Sequence, residues 1–403
     1  MTDVTEHTTP VYPMARTCPM SPPLEYAKLR ERGPVSRARL PDGRPVWLVT
    51  GHAETRAVLA DPRVSSDRTA PGYPSPFVVT RELVKQGGPS MVGQDPPEHG
   101  RTRRPTITEF SVKRVRELRP RIQEIVDEHI SALLAGPRPA DLVPALSLPV
   151  PSLVICELLG VPYADRALFQ SRTALMISNS TPPERRLAAS QEILDYFDVL
   201  ITAKETRGDD DVLGRVMARH RAEGTYDHRA AVQLARLLLI AGHETTANMI
   251  SLGTVALLEH PEQRAELVAD PELVPQAVEE LLRFFTIADT VTIRTARADI
   301  EIGGVTIREG EGLVALGAAA DHDPVVFADP GTLDIHRDAR HHVAFGYGIH
   351  QCLGQNLARA ELEIVFGTLF RRIPGLRLAA PVEELAFKTD AVVYGMHALP
   401  VTW

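Results

Sequence analysis

The sequence predicts a mainly α protein with small β-sheets, an α+β arrangement, and three observations carry that prediction. Apolar residues recur at helical spacing almost throughout from Arg101 to about Leu258, with breaks at PRPADLVP, LGVP, TPPE and TRGDDD. One uninterrupted periodic run begins after Asp227, an N-cap residue type, and ends at Glu259 before His260-Pro261. At 1.5 Å per residue such a helix would be about 50 Å long and must cross the centre of the molecule. Alternation of β-branched residues is confined to short runs: PVWLVT (Pro45 to Thr50) after an Asp42-Gly43 turn, and the stretch from Val291 to Leu316, whose Gly303-Gly304 pair marks a hairpin.

Taken in order, the β-containing N-terminal part runs to about residue 70, and within it HAETRAVLA reads as a helix that stops before Pro62. Residues 70–99 are rich in proline and glycine, as expected either of a loop facing a substrate or of a surface excursion. A short helix begins near Pro275, a proline- and aspartate-rich stretch covers Asp321 to Arg340, and FGYGIHQCLG then opens a final long helix through Arg371. Length alone allows two or three domains, but no repeat or low-complexity linker divides the chain.

Composition excludes several classes of function. With 44% hydrophobic and 24% charged residues in 403, the chain is neither disordered nor a disulfide scaffold. A net charge of -8 argues against sequence-independent nucleic-acid binding. The basic residues are 39 arginines and only five lysines, a bias to which no function is attached. Three scattered cysteines suit a reducing compartment, the N-terminus lacks a signal-peptide pattern, and no stretch approaches a membrane span. A soluble, cytoplasmic protein is expected.

Two motifs carry chemistry. Cys352 lies in FGYGIHQCLG, a glycine-rich turn feeding a helix, where free N-H groups and the positive end of the helix dipole favour a thiolate. Gly346, Gly348 and Gly354 would let a flat cofactor approach the backbone. A lone cysteine is otherwise an inert thiol, and Cys18 and Cys156 are read that way. His341, His342 and His350 stand close by, without the paired spacings of a zinc site. In the long helix, Ala241-Gly242-His243-Glu244-Thr245-Thr246 places a glycine, costing about 1 kcal/mol, and two poor helix formers between strongly helical flanks. That weak centre is either a bulge beside a bound group or a packing notch. Glu280 and Arg283, three apart on one helix face, taken alone are a solvated ion pair, and His99, Arg101 and Arg103 taken alone would pass as surface.

Together and in this order the motifs resemble the cytochrome P450 superfamily of heme-thiolate monooxygenases over nearly the whole chain, most closely its soluble bacterial, actinomycete-type members. The resemblance implies one helix-rich, triangular domain over 1–403, with heme b (iron protoporphyrin IX) between the long central helix and the cysteine loop with the final long helix. Cys352 would be the metal ligand. His99, Arg103, Arg294 and His350 would hold the propionates, with Ala241, Gly242, Phe345, Gly346 and Gly354 around the ring. Glu280, Arg283 and Arg337 would form a structural triad, and Glu244 and Thr245 would manage protons as catalytic residues.

Insertion of an oxygen atom from O2 into a C-H or C=C bond would then use electrons from NAD(P)H, delivered by a ferredoxin and its reductase. Arg101, Arg104 and Arg359 would form the docking patch, and the protein would be a monomer. Many relatives carry a proline shortly after E-x-x-R, where this chain has Phe284-Phe285-Thr286. By the same analogy a mostly apolar pocket would be lined by Val92, Met176, Leu238, Ala241, Ile287, Thr290, Val291 and Val393, suiting a bulky lipophilic macrolide, terpenoid or steroid. A peroxide-driven enzyme, for which the acid-alcohol pair would be superfluous, and a non-catalytic heme sensor are the alternatives.

Overall fold

A computed structural model describes residues 9–75, 90–289, 291–389 and 391–403. Helices dominate, and those that position the site are α1 (His52–Ala60), α2 (Glu98–Ile107), α3 (Val112–Ala135), α4 (Pro149–Leu159), α5 (Pro183–Arg207), α6 (His228–Glu259), α7 (Val274–Phe285) and α8 (Gln355–Arg372). The four sequence breaks fall between helices. At the LGVP break Gly160 closes α4 in the left-handed conformation (φ 63°), and at TRGDDD Gly208 closes α5 in the same way (φ 70°).

The long helix α6 matches its sequence bounds. Asp227 caps it, its carboxylate accepting from the Ala230 N-H at 2.6 Å. From Val232 to Leu257 most of its residues are buried, so α6 is apolar nearly all round, as a helix enclosed by other helices must be. It packs closely on α8, where a side chain on Gly253 would meet Phe366 at 2.5 Å. The main core gathers α3 to α8 in one apolar cluster.

The β structure is peripheral. A five-stranded sheet joins β1 (Val35–Arg39), β2 (Pro45–Val49), β7 (Gly312–Ala315), β4 (Ile293–Ala296) and β3 (Val64–Ser65) in that spatial order, with β2 and β7 parallel. β5 (Ile300–Ile302) and β6 (Val305–Ile307) form the hairpin over Gly303-Gly304, both at positive φ (55° and 77°) as the tight turn requires. A small sheet of residues 140–141, 377–378 and 400–402 ties the C-terminus to the helical body. The sheet brings Arg294, in the fully buried β4, to within reach of α2 and the cysteine loop.

Candidate functional site

The cysteine loop is fixed by hydrogen bonds within it and by its packing on α1. The Cys352 N-H donates to the Phe345 carbonyl at 2.8 Å and the Gly346 N-H to the Val343 carbonyl at 2.7 Å, folding residues 343–352 into a tight turn. The three glycines differ in purpose. Gly346 (φ 69°) faces open space, and so does Gly354 at the start of α8, whereas a side chain on Gly348 (φ 71°) would strike the Leu59 carbonyl at 2.4 Å. Gly348 therefore serves the packing of α1 on the loop rather than a cofactor face.

The Cys352 thiol is accessible although protein encloses it, as at the wall of an internal cleft. Burial pushes its pKa up, against the N-H groups of Gly354 and Gln355 and the guanidinium groups of Arg103 and Arg359, which pull it down. The loop's N-H groups thus act in the direction its sequence suggests, against the cost of burial.

Beside it lies a cluster of basic side chains. The His99 and His350 rings stand 4.1 Å apart. Arg103 donates to the Gln351 carbonyl at 2.5 Å, and the buried Arg294 to its neighbour Ile293 at 2.8 Å. Burial lowers the pKa of His350 to about 3, helped by Arg294, His99 and Arg103. Burial likewise depresses His99, Arg103 and Arg294. Among the described residues none of the four forms an ion pair with a carboxylate, and the buried Nε2 of His99 has no hydrogen-bond partner.

Glu280, Arg283 and Arg337 are the opposite case. Arg283 grips Glu280 through two bonds of 2.6 and 2.7 Å, both residues fully buried, and Arg337 adds a third at 3.2 Å. The remaining guanidinium hydrogens satisfy the carbonyls of Asp321, Pro330 and Ala328. The solvated pair that its spacing alone suggests is instead a closed buried network.

In α6 the helix runs unbroken through residues 241–246, so the bulge expected there is absent. A side chain on Gly242 would meet Ile155 of α4 at 3.0 Å, so this glycine serves as a packing notch. His243 turns the same way, its Nδ1 bonded to Ser152 at 2.6 Å. Ala241, by contrast, is exposed in the middle of a buried helix, and the Thr245 hydroxyl donates to its carbonyl at 2.7 Å.

Glu244 is buried and engaged by a residue with no motif. The Lys388 ammonium donates to its Oε2 at 3.0 Å and to the Asn248 side-chain oxygen at 3.2 Å. Lys388 arrives on a turn-back of the C-terminal segment that lies so close to α6 that a side chain on Gly395 would overlap Asn248. A second carboxyl that the motifs did not single out, Glu361 of α8, is fully buried and bonded to Thr246; burial raises its pKa to about 8.

The pocket candidates are partly assembled by backbone bonds. Val392 N-H donates to the Ile177 carbonyl at 3.0 Å and Tyr394 N-H to that of Ile287 at 2.9 Å, bringing the neighbourhoods of Met176, Ile287 and Val393 together. Leu238, Ile287 and Val393 are buried, while Val92 and Val291 present surface. Thr290 and most of the 70–99 loop lie outside the described residues.

Just after E-x-x-R, Thr286 adopts φ 37°, a costly conformation for a β-branched residue, held by the bond of its hydroxyl to the buried Asp321 carboxylate at 2.6 Å. Of the predicted docking arginines, Arg101 and Arg104 are exposed. Arg359 is instead clamped by Glu279 at 2.5 and 3.0 Å and stacked on Phe345, because a guanidinium half-buried beside a carboxylate pairs with it. That removes Arg359 from the patch.

The family model for cytochrome P450 matches residues 264–373. The pentalenic acid synthase of Streptomyces avermitilis is 53% identical over 97% of each chain. Among solved structures, cytochrome P450 MoxA of Nonomuraea recticatena is 58% identical over 97% of this chain and 98% of its own, with a TM-score of 0.91. The mycinamicin VIII C21 methyl hydroxylase MycCI of Micromonospora griseorubida, solved with mycinamicin VIII, is 45% identical over 98% and 100%, with a TM-score of 0.93. An accessible thiol in a glycine turn, a basic cluster that forms no ion pair among the described residues and an acid-alcohol pair on a buried central helix thus occur in a chain that belongs to the cytochrome P450 family.

Proposed function

We propose that this single unit of 403 residues is a heme-thiolate monooxygenase for a bulky lipophilic molecule, with Cys352 as the iron ligand and His99, Arg103, Arg294 and His350 as donors to the propionates. The observation that carries this reading is the basic cluster, which gathers four side chains and an orphaned Nε2 with no ion pair to a carboxylate among the described residues. Two carboxylates of a flat ring fit that need, and the open space before Gly346 and Gly354 fits the ring. When bound, heme supplies the iron on which O2 is reduced, so that O2, two electrons and two protons yield hydroxylated product and water.

The chain's own part is to ligate, to exclude water and to move protons. The N-H groups of Gly354 and Gln355 and the guanidinium of Arg103 stabilise negative charge on Cys352. Because the Thr245 hydroxyl donates to the Ala241 carbonyl, its oxygen would be left to accept a hydrogen bond when heme and O2 are bound. Glu244 passes protons inward, with Lys388 fixing one of its oxygens. The buried walls at Leu238, Ile287 and Val393 keep the site dry and suit an apolar substrate. The relative acting on the C21 methyl of mycinamicin VIII supports C-H insertion. The protein acts as a cytoplasmic monomer in this reading; no helix among the described residues is long and apolar enough to cross a membrane. Electrons come from NAD(P)H through a ferredoxin and its reductase, with Arg101 and Arg104 at the docking face.

Replacing Cys352 by Ser tests the assignment. The variant should fold but lose the reduced-CO absorption of thiolate ligation, and an unchanged spectrum would overturn it. Thr245→Ala should bind heme normally and divert reducing equivalents to peroxide, measured as the ratio of product to NAD(P)H consumed.

A further inference from the structure

Arg236 lies on α6 two turns before Glu244, in a stretch whose neighbours Val232, Leu234, Ala235, Leu238 and Leu239 are buried. Its guanidinium has only neutral partners: Ser190 Oγ of α5 at 3.0 Å and Gln233 Oε1 at 3.3 Å. Its Nε is buried and has no acceptor. Outside the basic cluster several enclosed arginines differ, Arg283 sitting on Glu280, Arg359 on Glu279 and Arg215 on Glu109, while Arg186 bonds only carbonyls. A sheltered guanidinium with an unused N-H and no anion is costly unless a ligand completes it.

Its neighbourhood is that of the cleft. Arg68 passes within 3.7 Å of the place a side chain on Gly93 would occupy, next to Val92. Arg68 depresses the basicity of both Arg236 and Arg294, so it stands in electrostatic range of each, between the central helix and the basic cluster. Among the described residues no carboxylate pairs with Arg68 or Arg236. Two like charges kept near each other over an apolar helix face call for an anion between them.

We propose that Arg236, assisted by Arg68, binds the carboxylate of a lipophilic acid and so selects acidic, otherwise apolar substrates. The planar fork of Arg236 suits two parallel bonds to a carboxylate, while the surrounding leucines and valine take the hydrocarbon. The inference rests on the monooxygenase reading, since it places the acid in the substrate space of that site.

The test compares three acids with their methyl esters, abietic, dodecanoic and 1-adamantanecarboxylic, on the heme-loaded full chain by equilibrium dialysis and the Soret shift. At least one acid should bind ten-fold or more tightly than its ester. Arg236→Gln should bring that pair to within about two-fold by weakening the acid alone, and Arg236→Lys should restore part of the preference. No acid preference in any pair, or a preference that survives Arg236→Gln, overturns the proposal. Should Arg236→Gln not fold, the unaltered protein and Arg68→Gln, which should lower the preference, decide it. A missing reduced-CO band would instead overturn the monooxygenase reading, whereas an intact band with equal acid and ester binding removes only the carboxylate site.

Discussion

Two arginine-rich regions flank the centre of this protein and are built on opposite principles. In the first, Arg283 and Arg337 close on Glu280, and every charge is met inside the protein. In the second, Arg103 and Arg294 converge with His99 and His350, and no ion pair to a carboxylate is formed among the described residues. The same residue type is scaffold in one place and receptor in the other, and what separates them is whether the chain supplies the counter-charge. Glu361 completes the comparison as a buried acid with no cation, kept neutral by its surroundings.

The comparison would break first at the closed network. Arg283→Ala leaves the buried Glu280 with only Arg337 as counter-charge, and should cost roughly 3–5 kcal/mol in chemical denaturation; a loss below about 1 kcal/mol would mean that the network is not closed. Glu361 gives the next largest effect. Its folded pKa of about 8 exceeds the ordinary 4.5, so its stabilising contribution is full below about pH 4.5 and is lost as pH rises to about 8. The wild type should therefore lose a few kcal/mol relative to Glu361→Gln between pH 5 and 9. Equal slopes in the two proteins would show that this acid is not held neutral.

Arg294→Ala should behave in the opposite sense to Arg283→Ala. Removing a buried cation that lacks a carboxylate should leave the heme-free protein as stable or more so, while heme binding weakens by about 1.5–3 kcal/mol, the worth of a charged hydrogen bond. Heme titration and denaturation of the heme-free protein separate the two effects. The smallest effect belongs to solvent. Breaking the surface pair Arg172–Glu192 should change stability by only about 0.2–1 kcal/mol.

Much of the architecture is local and was legible. The bounds of α6 follow from Asp227 and His260-Pro261, the hairpin from Gly303-Gly304, and the helix breaks from proline and glycine. The motif residues also come together as their order implies, with His99 against His350 and Glu280 between two arginines. Lys388 was not legible, because it meets Glu244 across 144 residues with no periodic or motif signal. Arg236 was missed for the same reason: the sequence showed a helix arginine, and only packing revealed that its Nε lacks a partner.

The sequence by itself determined what depends on near neighbours: helix lengths, turns, the cysteine loop and the residue types fit for a heme-thiolate site. The tertiary structure alone decided which charges are paired, that Gly242 and Gly348 serve packing, and that Arg359 is spent on Glu279. The physical reason is range. Propensity and capping act over one or two turns, whereas desolvation and ion pairing depend on whatever the fold brings alongside.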